Sequence, residues 1–213
     1  MIKKLWQQSV FRVGVMSALF AIFATTLVAY IEQSTRQQIA ENERLALLDA
    51  LNVLLPEQAY DNNILNDTLE LPPTAALGTQ SPTIVYRARK NDEPVAVILS
   101  STAPDGYSGK INMLMAIYTD GSLAGVRVIS HKETPGLGDK IEAHRDDWIL
   151  QFSGLSLQSP EVSRWKVKKD GGDFDQFTGA TITARAVVNA IKHALQFFAV
   201  NQDKLFIPSQ ENR

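Results

Sequence analysis

From Val13 to Ile31 the chain reads VGVMSALFAIFATTLVAYI, a run of 19 residues without a charge. That length matches the roughly 20 residues a helix needs to cross a bilayer. Trp6 and Tyr30 sit near its two ends, where interfacial aromatics belong. A cleaved signal peptide would have a shorter apolar core, roughly 7–15 residues, and a small-x-small site, which Thr26–Tyr30 offers only poorly. Beyond the run, Ile39, Leu47, Leu48, Leu51 and Leu55 recur at near-helical spacing, so Gln33–Leu55 is predicted as a helix that Pro56 ends. Glu57–Pro82 is rich in Asn, Asp, Thr and Pro and reads as a connecting or irregular stretch.

Alternation then takes over. Thr83–Lys90 predicts a strand, Asn91-Asp92-Glu93 a turn, and Val95–Leu99 a buried strand. Ile111–Tyr118 and Leu123–Ile129 flank Thr119-Asp120-Gly121-Ser122, and Asp-Gly is a strong hairpin signal. Asp139–Phe152 is predicted helical, with Ile141, Trp148, Ile149 and Phe152 inward. Ser163–Lys168 alternates Trp165 and Val167 as a strand would. A broad apolar stripe of Ile182, Ala186, Val187, Ala190, Ile191, Ala194, Leu195 and Phe198 predicts a last helix over about 181–200, followed by a frayed polar tail, 201–213. Strands mostly precede helices, which places the fold in the α/β (α+β) class.

Charge sharpens this division. The 213 residues carry 21 Lys plus Arg and 23 Asp plus Glu, a net charge of −2. Before Glu32 the only charges are Lys3, Lys4 and Arg12; the remainder holds 18 basic and 23 acidic residues, or −5. The positive-inside rule therefore puts the N-terminus in the cytoplasm and everything after Glu32 on the far side. No basic excess is available for nucleic acid. Cysteine is absent, which excludes disulfides, thiolate catalysis and Cys-held zinc or iron–sulfur clusters in this chain. Electrons, if it handles them, must reside on something other than sulfur.

Three segments could carry chemistry. Phe177-Thr178-Gly179-Ala180-Thr181-Ile182-Thr183 is a small-residue turn feeding the last helix, whose N-terminus suits a phosphate. Thr178 or Thr181 could cap, Thr183 would offer a free hydroxyl in the first turn, and Arg185 could reach back to an anion; plain helix capping accounts for the same residues. His131-Lys132-Glu133-Thr134-Pro135-Gly136-Leu137-Gly138-Asp139-Lys140 has two glycines and a proline that would let a flat ligand approach main-chain amides, or it is an ordinary connecting loop. Asp105-Gly106-Tyr107-Ser108-Gly109 could lean a ring over a ligand, but a turn is the simpler reading. His131, His144 and His193 lack metal-ligand spacing, no nucleotide-type glycine loop occurs, and no hydrolytic triad is readable.

Together, Thr178-Gly179-Ala180-Thr181-Ile182-Thr183 and Glu133-Thr134-Pro135-Gly136-Leu137-Gly138 resemble the two signatures of the FMN-binding domain family. The single span, lead helix and length resemble the G subunit of Rnf-type electron transport complexes. The resemblance implies FMN joined by a phosphoester to Thr183, with Thr178, Gly179, Ala180 and Thr181 around the phosphate and Glu133, Thr134, Gly136, Leu137 and Gly138 near the flavin ring. It implies attachment by a separate FAD-dependent, Mg²⁺-using flavin transferase, with Thr183 an acceptor and no catalytic residue in this chain. It implies an electron-carrying component of a translocase in a bacterial inner membrane, partnered by the complex's other subunits, with its C-terminal domain periplasmic, rather than a stand-alone enzyme. The expected organisation is a cytoplasmic stub 1–12, a span 13–31, a lead helix and connector 32–82, an FMN-binding domain 83–200 and a tail 201–213. The C subunit of the Na⁺-translocating NADH:quinone reductase shares the motif; a cofactor-free, membrane-tethered binding module is the alternative of another class.

Overall fold

A computed structural model describes residues 2–207. The chain divides into two compact units, residues 1–49 and 50–213. Helix α1 runs over Ile2–Leu54 and includes Phe11–Tyr30, 20 residues of mean hydropathy 2.0 that are long and apolar enough to cross a membrane. Phe11, Met16, Leu19, Phe20, Ile22 and Phe23 are all exposed, so this stretch has no apolar protein environment of its own. A helix apolar all round needs either a protein core or lipid around it. The side chains of Trp6 and Ile39 and the tail residues 208–213 lie outside the described residues.

The second unit is built on a five-stranded antiparallel sheet in simple meander order. Its strands are β1 (Thr68–Leu71), β2 (Thr83–Lys90), β3 (Glu93–Gly106), β4 (Gly109–Tyr118) and β5 (Leu123–Ser130). Asn91 and Asp92, both at positive φ, close the β2–β3 hairpin, a conformation Asn and Asp tolerate better than most residues. Alternation gives the sheet two apolar faces. Val97, Leu99, Met113, Met115 and Ile117 form one core with Val187, Ile191, Ala194, Leu195 and Phe198 of helix α2 (Thr181–Phe206). Ala96, Ile98, Leu114 and Ala116 lie on the other side and are also buried. There the last turn of α1 approaches so closely that a side chain on Gly125 of β5 would touch Leu54 at 3.4 Å. This mixture of helices and antiparallel sheet is the α+β arrangement the sequence predicts.

Five local expectations are corrected. Thr68–Leu71, inside the supposed connector, is an edge strand paired with Thr83–Tyr86. Asp67 just before it binds Arg87 and Arg89 of β2, each at 2.7 Å, and these long-range ties are invisible to local pattern. Asp139–Phe152 is not an α-helix but two 3₁₀ segments, 139–141 and 147–152. The Asp146 carboxylate takes the Trp148 N–H at 2.9 Å, restarting the chain at that point instead of continuing a helix. Its inner face is nevertheless the expected one: Ile141, Trp148, Ile149 and Phe152 are buried.

Ser163–Lys168 is not a strand either. It is flanked by 3₁₀ turns at 162–164 and 168–170, and a single bridge joins Val167 to Phe174. Its alternation reflects burial of Trp165 and Val167 in an aromatic cluster, where Trp165 lies 5.0 Å from Phe174 and Phe152 lies 4.9 Å from Phe174. The last helix continues to Phe206 rather than fraying at Val200, because Leu205 is buried and Arg89 holds the Phe206 carbonyl at 2.8 Å. Arg87 likewise donates to the Ile207 carbonyl. Ile182, which periodicity places on the apolar stripe, is 46 % exposed.

Candidate functional site

Thr183 occupies the first turn of α2 and is fully buried. Its hydroxyl is not free, as the sequence suggests, but donates to Oε2 of Glu133 at 2.5 Å across 50 residues of chain. The other oxygen, Oε1, accepts the main-chain N–H of Ser108 at 3.0 Å. Glu133 is itself buried, 5 % exposed. Its own N–H donates to Nδ1 of His131 at 3.0 Å, and Nε2 of that ring meets Glu142 at 2.8 Å. Three segments far apart in sequence therefore converge on one carboxylate.

Two glycines make room for it. A Cβ on Gly138 would stand 2.8 Å from the Glu133 Cβ, 2.9 Å from Oε2 and 3.2 Å from the Thr183 hydroxyl oxygen. A Cβ on Gly106 would stand 2.8 Å from Oε1 and would collide with the Gly109 carbonyl. Close packing leaves no slack for such atoms. The loop is set by the Leu137 and Gly138 N–H groups, which both bond the Thr134 carbonyl, at 3.1 and 3.0 Å.

Above this buried floor lies an exposed rim. Thr134, Gly136, Leu137, Thr178 and Gly179 are exposed, and Thr181 is half-buried. The two sequence motifs abut: a side chain on Gly179 would meet the Leu137 methyl at 3.5 Å. Gly136 and Gly179 sit at φ +78 and +85, conformations other residues rarely adopt. Ala180 is the N-cap of α2 and no side chain caps the helix, so neither Thr178 nor Thr181 plays that part. The approach to the helix is held instead by rings, with Trp148 4.9 Å from Phe177 and its indole N–H donating to the Asp175 carbonyl at 2.8 Å.

Arg185 does not turn back toward the helix start. It forms two bonds to Asp170, at 2.6 and 2.9 Å, and that hydrogen bonding holds the Asp170 carboxyl below its ordinary pKa. Residues 105–109 are the β3–β4 turn, as the pattern predicts, with Tyr107 exposed. Sequence pattern does not foresee that this turn reaches the site through the Ser108 N–H. The contact uses main chain, which leaves no residue signature; only the small Gly106 hints at a close approach. A separate groove of about 430 Å³ runs beside another face of α2, lined by Gly78, Pro104, Asp105, Ile182, Arg185 and His193 among others, and contains neither Thr183 nor Glu133.

Comparison with known proteins agrees with this geometry. Residues 106–196 match the FMN-binding domain model, and residues 1–54 match the RnfG N-terminal region. The G subunit of the ion-translocating oxidoreductase complex of Pseudoalteromonas atlantica is 44 % identical over 207 residues, covering 97 % of this chain and 96 % of the relative. The chain belongs to the RnfG family. The corresponding proteins of Shewanella baltica and Pseudomonas aeruginosa are 46 % and 45 % identical, covering 91 % and 96 % of this chain and 91 % and 95 % of their own lengths. The FMN-binding match begins at Gly106 and thus encloses Ser108, His131, Gly138, Glu142 and Thr183, the residues that meet around Glu133. The residues present fit a flavin phosphate: an uncapped helix start, a hydroxyl in its first turn, and glycines where a ligand can come close to main chain.

Proposed function

We propose that this chain is a membrane-anchored, electron-carrying flavoprotein of an ion-translocating oxidoreductase complex, with FMN attached through a phosphoester to Thr183. The observation that carries the reading is the placement of Thr183. Within the FMN-binding match its hydroxyl ties the Thr178–Thr183 motif to the Glu133 loop, so the two motifs form a single site. FMN bound there supplies one-electron redox chemistry. The chain's share is to fix the phosphate at an uncapped helix start, where one negative charge is stabilised by about 0.3–1 kcal/mol, and to offer the rim of Thr134, Gly136 and Leu137, with Gly138 beneath it, to the ring. A covalent bond removes dissociation, which suits a flavin held outside the cytoplasm.

The same reading makes Phe11–Tyr30 the anchor, places the C-terminal domain in the periplasm, and assigns a flavin transferase as the partner that performs attachment. The remaining subunits of the complex are its electron donors and acceptors. The match of residues 1–54 to the RnfG N-terminal region favours this complex over the related Na⁺-translocating NADH:quinone reductase and its C subunit. Intact-mass analysis of chain purified from cells that express the transferase tests the assignment. The native chain is expected to carry the FMN increment and Thr183→Ala to lack it while keeping the same circular dichroism. An FMN adduct persisting on Thr183→Ala would refute the site.

A further inference from the structure

We propose that Glu133 is the proton acceptor that activates Thr183 for flavin attachment, so that part of the catalytic apparatus for the modification resides in the acceptor itself. The inference rests on the reading of Thr183 as the attachment point. A threonine hydroxyl is a weak nucleophile and needs an adjacent base. The Thr183 hydroxyl already donates to Glu133 Oε2, with 2.5 Å between the two oxygens, the direct hydrogen-bond contact a general base needs. The carboxylate cannot turn away, because Oε1 is tied to the Ser108 N–H and Gly106 and Gly138 close on either side.

A second observation separates this role from a structural one. A buried hydroxyl can be satisfied by any main-chain carbonyl at little cost. Here it is satisfied by a buried carboxylate, and among the described residues no Lys, Arg or His side chain forms an ion pair with that carboxylate. Burying a charge without a counter-charge is expensive, so stability alone does not call for this residue. In the proposed step the Thr183 oxygen forms a bond to the phosphorus on the flavin side of the FAD pyrophosphate. The bond from that phosphorus to the bridging oxygen breaks, AMP leaves with the electron pair, and the Thr183 proton passes to Glu133 Oε2. Nothing is oxidised or reduced.

The test is the rate of mass gain by the full chain in detergent, supplied with a flavin transferase, FAD and Mg²⁺, with circular dichroism reporting folding. The native chain is expected to load and Thr183→Ala to stay unloaded. Glu133→Gln keeps the size of the side chain but accepts no proton, and should load at least about 100-fold more slowly. Glu133→Asp, which keeps a base, should load faster than Gln. Glu133→Ala should regain loading with added formate but not with chloride. Loading of Glu133→Gln within about threefold of native, equal rates for Asp and Gln, or a folded Glu133→Ala that formate does not rescue would each overturn the proton-acceptor role while leaving Thr183 as the attachment point. A native chain that gains no mass, or a Thr183→Ala chain that does, would instead overturn the attachment reading itself.

Discussion

Gly136 and Gly138 lie two residues from each other in the same loop and are glycine for different reasons. Gly136 needs its positive φ, and a Cβ there would meet open space. Gly138 has no such backbone demand but is walled in by Glu133 and Thr183. Gly136→Ala should therefore cost about 1–2 kcal/mol of backbone strain and leave the Glu133–Thr183 bond intact. Gly138→Ala should cost about 1–3 kcal/mol through overpacking and, by displacing the carboxylate, suppress flavin loading as well. Thermal melts paired with intact masses distinguish the two: equal loading in both variants would contradict the steric role assigned to Gly138.

At the scale of elements, the β4–β5 hairpin shows how much a short motif can decide. Asp120 accepts the Ser122 N–H at 2.8 Å and the Ser122 hydroxyl at 2.6 Å, and these bonds lower its pKa below the ordinary 3.8. A lowered carboxylate pKa stabilises the fold above the unfolded value, and the benefit disappears as pH falls through the folded one. The turn is exposed, which keeps the effect below about 1 kcal/mol. Urea midpoints should drop between pH 5 and strongly acidic buffer (roughly pH 2) by more in the native chain than in Asp120→Asn; an equal drop would remove Asp120 from the pH dependence. This hairpin, strand β2 and the start of α2 are legible in the sequence because their signals are local: Asp-Gly, alternation, and a periodic apolar stripe. The 139–177 region is not. Its aromatic positions correctly announce burial, but Asp146 breaks the helix from within, and Trp165 and Val167 alternate against rings rather than a partner strand. Edge strand β1 escapes local pattern for a similar reason, since Asp67 finds Arg87 and Arg89 only in the folded chain. The site is half legible: both motifs can be read, yet the hydroxyl expected to be free is bonded to Glu133, and the contribution of Ser108 passes through main chain.

For the molecule as a whole, the anchor and the site make separate demands. Phe20 lies midway along Phe11–Tyr30 and is 73 % exposed. In a membrane helix, Phe20→Asp would place a charge near the bilayer centre, at about 2.5–3.5 kcal/mol, and carbonate extraction should release more of this variant than of the native chain; equal retention would argue against Phe11–Tyr30 as the anchor. The site, by contrast, exists only in the native domain. Thr183 and its partner are 50 residues apart and meet only after the β3–β4 turn, the 133–138 loop and α2 have assembled. In an unfolded chain Thr183 has no Glu133 beside it. On the attachment proposed above, loading would come after folding, and the yellow colour of a preparation would be a census of the molecules that have reached their native state.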